Sequence, residues 1–539
     1  MEIQRQQERE RVLRERLEER PDVMIDRVVD DFERLPKDEQ PCFVIHEILL
    51  EGENKDRFMF ALQAANPPKD PALGRCLGTQ GINIVMKRVQ NRIIQRGFVT
   101  TRILAAPQDI SSGTLILTVI PGKVRNIKFS EQTSEHASKW NASPVRPGEI
   151  LNLRDIEQTL ENFKRLPTAT ANFQIAPAEG DKARPGESDI IIDWKQTRPI
   201  RFNVSVNDSG TKHTGKQQGN ATVLLEHMLR SNDLFYFSYG QNLSGVQNRD
   251  TGKGTRSHVF HYGIPYKYWL FSVTSSKFNY HRTILGIGEN YLYSGISQNN
   301  QARLTRLLYR DAVRKSSAWF SGWQRTSSNY IEDIEIELQR RRMAGWEFGL
   351  NHREFIKRAV LDATVSYRRG TGMLQSKRAP EEPFGEGTSR PEIVLANLFF
   401  NVPFSVLDKQ LCYSLNFRGQ LDRTPLVPQD RFAIGNRFTV RGFDGEMALM
   451  GDRGWLVRND VGIVLRNTGQ FLYVGMDHGK VDGQSTKHLT SKYLTGAFMG
   501  IRGGHRGLYW DVFAGMPISK PDGFETMRVT TGFNVGVVY

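Results

Sequence analysis

Val529-Thr530-Thr531-Gly532-Phe533-Asn534-Val535-Gly536-Val537-Val538-Tyr539, at the end of the chain, decides the fold. Side chains on a strand alternate between faces, so Val529, Thr531, Phe533, Val535, Val537 and Tyr539 share one side. Gly532, Asn534 and Gly536 share the other. A soluble β-sandwich would need a dry core, and glycine with asparagine does not line one. Apolar residues outward toward lipid, with small or polar residues inward, is the alternation of a transmembrane β-barrel.

The same grammar extends backwards to Arg198-Pro199. Arg201–Val206, Leu234–Tyr239, Trp269–Phe278, Val360–Tyr367, Ile393–Phe400 and Leu411–Phe417 alternate in this way, separated by Gly, Asn, Asp and Ser. Counting such segments over residues 199–539 gives roughly sixteen strands, an even number as single-chain bacterial barrels have. Met373–Arg390 and Gly479–Lys492 read as long, mobile loops. Phe533, Val535, Val537 and Tyr539 form the kind of terminal aromatic strand that the outer-membrane assembly machinery reads.

Composition agrees with this picture. No run of about eighteen apolar residues is present, so a helical membrane span is excluded, while a barrel is not. The formal net charge of +14 is scattered over strands and loops without a basic stripe, which argues against nucleic acid. The segment Met1–Arg20 lacks the apolar centre of a signal peptide, so the barrel reading implies that a signal has been removed from the sequence. Of three cysteines, Cys42 and Cys76 fall in one small unit, and an oxidising periplasm is expected to join them. Cys412 has no obvious partner. No Cys/His spacing suggests zinc, and neither a metal nor a cofactor is expected.

Ahead of the barrel the chain reads differently. Residues 1–20, MEIQRQQERERVLRERLEER, form a helix pattern with almost no apolar face, and Glu10 and Arg14 make an i,i+4 pair. A polar helix of this length spans about 30 Å and would suit a water-filled lumen. Residues 21–40 read as a linker. Two α/β units follow, 41–121 and 122–198. The first takes Cys42–Ile48 as a strand, Gly81–Gln95 as a helix, and Gly97–Arg102 and Gly113–Val119 as strands. The second repeats the order with Val124–Phe129, a helix over Leu153–Arg165, then Ala171–Ile175 and Asp189–Trp194.

The motif with the sharpest chemical meaning is Val440-Arg441-Gly442-Phe443, in a glycine-rich stretch within an inward loop at about 430–454. An arginine away from bulk water needs a paired charge. In Phe471-Leu472-Tyr473-Val474-Gly475-Met476-Asp477-His478-Gly479, parity sends Leu472, Val474 and Met476 to lipid and Gly475, Asp477 and Gly479 to the lumen. Asp477 is therefore the expected partner of Arg441, with Gly475 and Gly479 leaving room for the loop. Gly442 permits a tight turn, and Phe443 packs the tip against the wall.

With these parts in this order, the chain resembles the two-partner secretion transporters, the TpsB family, over essentially its whole length. Val440–Phe443 is similar to the family's loop signature, and Phe471–Gly479 to the strand motif whose aspartate meets the loop arginine. The α/β units resemble periplasmic POTRA domains, and the first helix resembles the family's plug. The finer likeness is to the haemolysin-type and contact-dependent-inhibition exporters, ShlB- and CdiB-like. The resemblance implies an unfolded, secreted β-helical exoprotein as partner, caught by the POTRA units through sheet edges and threaded through the barrel without ATP. It further implies outer-membrane lipid and lipopolysaccharide around a monomeric barrel built by the barrel assembly machinery. A POTRA-barrel insertase shares the loop motif but has no reason for only two POTRA units behind a helix. A plugged porin does not explain the α/β repeat. A barrel enzyme needs a catalytic constellation, and Asp477 with His478 does not make one.

Overall fold

Alternating strands bury their polar backbone in lipid only when every edge is paired, so a spanning sheet must close on itself. The computed structural model describes residues 2–18, 21–25, 33–180, 184–243, 252–465 and 469–539. Met1, Glu19 and Arg20 of the expected helix, and positions 26–32 of the expected linker, lie outside the described residues. Among the described residues, sixteen long antiparallel strands form a closed barrel, starting with Ile200–Asn207 and ending with Thr530–Val538. The last strand pairs with the first, and Tyr539 and Phe202 exchange two backbone hydrogen bonds of 2.9 Å. In this terminal strand Thr530, Gly532 and Gly536 are buried, while Val535 and Val537 are exposed toward lipid. Many strands outrun the apolar pattern that announced them: Trp269–Phe278 continues to Leu285.

Each α/β unit is a three-stranded sheet covered by a helix, with its last strand in the middle. In the first, Thr114–Ile120 runs parallel to Glu47–Gly52 and antiparallel to Arg102–Leu104. In the second, Glu187–Gln196 runs parallel to Lys123–Phe129 and antiparallel to Ala169–Pro177. Identical topology is the structural form of the sequence repeat. Helices α2 (Thr79–Gln95) and α3 (Leu153–Lys164) supply the apolar faces. Val85, Val89 and Ile93 of α2 are fully buried beside Leu117, and Phe163 of α3 packs toward Trp194. The second core continues into Leu234 and Tyr236 of the barrel and Leu17 of the first helix, so it is shared with the barrel end.

Four expectations need correction. Gly97–Arg102 is not a strand: Gly97, at φ 97°, ends α2, and the Phe98 N–H returns to the Ile93 carbonyl. Apolar residues after a glycine looked extended, but Phe98 is turning into the core. The segment Cys42–Ile48 is broken, because Ile45 and His46 bond to Arg75 and Gly113 and divide it between two sheets. The segment Met373–Arg390 is not loose. The Glu382 carboxylate accepts from Ala379, Thr388 and Ser389 at 3.0–3.3 Å and folds it into a compact turn. Gly479 itself belongs to the strand Gln470–Asp482.

Cys42 and Cys76 form a disulfide that clips the small pairing of Phe43–Val44 with Cys76–Leu77. Closing a loop of this separation, 34 residues, stabilises by about 3–4 kcal/mol in the chain-entropy picture. Reduction of the purified protein is expected to shift its mobility on a denaturing gel. Free thiols at both positions would exclude the bridge. Glu39 docks the preceding segment on the start of α2, accepting from the N–H groups of Gly78, Gln80 and Gly81. Burial pushes this carboxyl up, and the three N–H donors outweigh it, so its pKa lies below the ordinary carboxylate value. A depressed carboxylate stabilises above the unfolded pKa, and that contribution is lost as pH falls through the folded pKa. Glu39→Gln should therefore speed amide exchange at Gly78–Gly81 at neutral pH, relative to wild type, with the difference closing under acid.

Candidate functional site

The site is assembled where the chain leaves the wall after Lys409–Asp422 and turns inward. Phe432–Ile434 pairs with Leu449–Gly451, making a hairpin inside the barrel. At its narrow end the Thr439 hydroxyl accepts from the N–H groups of Gly435 and Asn436, both at 3.1 Å. This turn presents Arg441 to the wall. The Arg441 Nε and Nη2 donate to the two oxygens of Asp477 at 2.7 and 2.8 Å, and its backbone N–H adds a bond of 2.9 Å. Nη1 reaches Asp460 at 3.1 Å, and the guanidinium lies 3.5 Å from the centre of the Phe498 ring. Asp477 is wholly buried. A planar fork bonding both carboxylate oxygens is a geometry lysine cannot make.

The wall is shaped to receive this loop. A Cβ on Gly496 would stand 2.0 Å from the Arg441 carbonyl oxygen, and one on Gly515 would stand 2.9 Å from the Gly442 Cα. Gly442 has φ 102°, and a Cβ there would stand 2.6 Å from the Met516 carbonyl oxygen. Gly479 leaves room for Val440 and Ile434, as expected. Gly475 does not face the loop: its vacant side is filled by the Asn459 backbone and the Phe498 ring. Phe443 is buried edge-on to Phe524, in a cluster that includes Leu456 and Leu494 of the wall. Phe471 stacks with Tyr473 beneath Arg502.

Asp460, Phe498, Gly496 and Gly515 were not anticipated from sequence, although the signal for the first three was present. Gly496 pairs directly with Asp477, and Asp460 pairs with Gly475, so the parity that turns Asp477 inward turns both of them inward too. Phe498 shares the face of Gly496. Gly496→Val should unseat the loop while the barrel still forms. The expected readout is raised channel conductance with the heat-modifiable gel mobility of a folded barrel retained; conductance equal to wild type would show that the loop does not need this surface.

Helix α1 (Glu2–Leu17) runs through the interior, and its polar faces are used. Arg418 of the wall grips Glu8 with bonds of 2.6 and 2.9 Å. The Gln4 amide donates to the Pro428 and Arg431 carbonyls at 2.9 Å, and Arg5 donates to the Gly445 carbonyl of the inward loop. Arg16 bonds and stacks on Tyr509. The expected Glu10–Arg14 pair does not form. Gln6 donates to Glu10, and Arg14 reaches Gln301 on the wall at 3.4 Å. The i,i+4 rule assumes water around the helix, whereas here a polar wall competes for each charge. Beside the helix a cavity of about 490 Å³ remains, lined by α1, Asn203, Asn401, Phe438, Arg441 and Asp460 among others.

Below α1, Asp22 bonds Lys315 at 2.6 Å and Arg353 at 2.5 Å, while the N–H groups of Val23 and Ile25 donate to Glu161 and Glu157 of α3. Arg310 of the wall bonds Glu157 and Glu161 at 3.0 and 2.9 Å. Segment 21–25 is thus held between the second α/β unit and the barrel end. His478 turns outward, bonded to Thr495 at 2.7 Å and stacked on Tyr493, so it does not face Asp477's partners.

Comparison with known proteins adds independent findings. Residues 186–503 match the family described as haemolysin secretion/activation protein ShlB/FhaC/HecB. Residues 43–122 match the ShlB-type POTRA domain, and 123–177 match another POTRA domain family. The outer membrane transporter CdiB-2 of Burkholderia pseudomallei (strain 1026b) is 33% identical over 517 residues, 92% of this chain and 86% of that protein. The structure of CdiB from Acinetobacter baumannii superposes with a TM-score of 0.85 at 30% identity, covering 99% and 97% of the two chains. CdiB from Escherichia coli shares the fold, with a TM-score of 0.86 at 23% identity over 99% and 98%.

Proposed function

Since the chain belongs to the ShlB/FhaC/HecB family, and is thereby an outer-membrane transporter of two-partner secretion, we propose that α1 and the Arg441 loop together are its gate. One observation carries this reading: α1 lies in the barrel interior and is held to the wall and the inward loop mainly by polar bonds that water can replace. Glu8–Arg418 and the Gln4 bonds join polar groups, and Ile3 and Leu17 are the helix's two buried apolar side chains. Such a helix closes the pore, and leaving it withdraws Ile3 and Leu17, near its two ends, from buried apolar contacts. The Arg441–Asp477 pair keeps the loop in register. Its desolvation cost offsets most of its attraction, so its role is positional rather than stabilising.

The exported partner is a secreted exoprotein, and a CdiA-like toxin or adhesin fits the relatives' names. The two POTRA units stand on the periplasmic side and receive it unfolded, each offering a strand edge of its sheet for backbone pairing. No nucleotide drives transport; folding outside the cell blocks return. Lipid and lipopolysaccharide surround the barrel, which works as a monomer after insertion by the barrel assembly machinery. The test asks first whether the adjacent gene encodes a very large repetitive protein with a secretion signal, and then coexpresses that protein with the transporter. That protein is expected in the medium or on the surface of cells carrying the transporter, and in the periplasm of cells without it. Export independent of the transporter would contradict the reading.

A further inference from the structure

The barrel end that carries the second α/β unit bears an exposed surface that the gate does not use. Trp140 of that unit is 58% exposed, and Met228, Leu229 and Tyr266 of the adjoining barrel turns are 52%, 61% and 48% exposed. These residues are not on a loose tip. Beside Trp140, the Asn141 side chain donates to the Pro265 carbonyl at 3.0 Å, and the Asn141 carbonyl accepts from Lys267 N–H at 2.6 Å. The Trp140 ring lies 6.1 Å from that of Tyr266.

Tyr266 identifies what covers this surface. It ends the strand Lys253–Tyr266, on the same face as Phe260, Tyr262 and Ile264, which is the row turned to lipid. Trp140 therefore extends the lipid-facing row by one ring, from a domain outside the membrane. The neighbouring strands end in the same chemistry. Trp269 sits under the Arg306 guanidinium at 4.8 Å, and Arg306 lies between the exposed Leu304 and Leu308. Lys267 covers Tyr266 at 5.3 Å, and Arg230 is exposed beside Leu229. Aromatic rings with an apolar body and a polar edge favour the headgroup boundary, and cations beside them meet lipid phosphates.

We propose that Trp140, with Met228, Leu229 and Tyr266, seats in the headgroup region of the adjacent phospholipid leaflet, docking the second POTRA unit on the membrane as well as on the barrel. This rests on the reading that places that unit on the periplasmic side. Docking would hold the unit's sheet at a fixed height above the leaflet, so that a partner paired to it arrives at the barrel mouth.

The test uses the full chain in liposomes of phosphatidylethanolamine and phosphatidylglycerol, with Cys412→Ser and one nitroxide label at a time. Labels at Trp140→Cys and Leu229→Cys are compared with Phe260→Cys on the lipid face and Asp56→Cys on the first POTRA unit. Relaxation by oxygen against a water-soluble nickel chelate reports depth. The ratio at 140 and 229 is expected to shift away from that at 56 toward that at 260. If 260 reads lipid while 140 and 229 both match 56, docking is overturned and the transporter assignment stands. Failure of the transporter reading would show separately, as absent exoprotein export by the unlabelled protein.

Discussion

Removing residues 1–20 is expected to raise single-channel conductance severalfold in planar bilayers. An α-helix with its side chains is about 10–12 Å across, and α1 lies in the lumen against the wall and the inward loop, so its removal frees the main conducting section. Most of its bonds are to polar groups, such as Glu8 to Arg418 and Arg16 to Tyr509, which water can satisfy once the helix has gone. The barrel should therefore survive deletion, keeping its heat-modifiable gel mobility. Conductance equal to wild type in a folded barrel would remove the plug assignment and leave the loop as the barrier.

Charge reversal at Arg441 should lower secretion by at least about tenfold. Breaking a buried pair costs about 3–5 kcal/mol, because the remaining charge has lost its partner. Arg441→Glu would set a carboxylate against both Asp477 and Asp460 and over the face of Phe498. Asp477→Arg in the same protein should restore part of the activity. The geometry says why only part: Asp460 would still repel the introduced carboxylate, and Arg458, 3.7 Å from Asp477, would repel the introduced guanidinium. Adding Asp460→Asn should improve the rescue. Full secretion by both single variants would end the view that this pair sets the loop in register.

What sequence made legible follows from period and parity. A two-residue period survives any change of side-chain identity, so the terminal strand and the inward turn of Asp477 were readable from a single row. The same rule would have exposed Asp460 and Gly496, had it been carried across strand pairs; a row shows parity, but only register shows neighbours. The loop contact at Gly515 carried no signal, because it depends on where a distant backbone lies. Local rules misled where tertiary surroundings replaced water. Arg14 was drawn from Glu10 to Gln301, Phe98 turned from a supposed strand into a core, and Glu382 ordered a segment whose polarity looked mobile. Gly475 was assigned to the loop because glycine marks close approach without saying of what.

The central claim is that the exoprotein crosses the lumen only after α1 has left it. Glu8→Cys and Arg418→Cys, in a Cys412→Ser background, place thiols at a contact that joins α1 to the wall. A cleavable bis-methanethiosulfonate spacer should tether them in proteoliposomes supplied with unfolded exoprotein. Secretion is expected to stop while the tether is in place and to return when a reductant cleaves it, with singly substituted proteins unaffected by the spacer. Undiminished transport through the tethered protein would contradict the account.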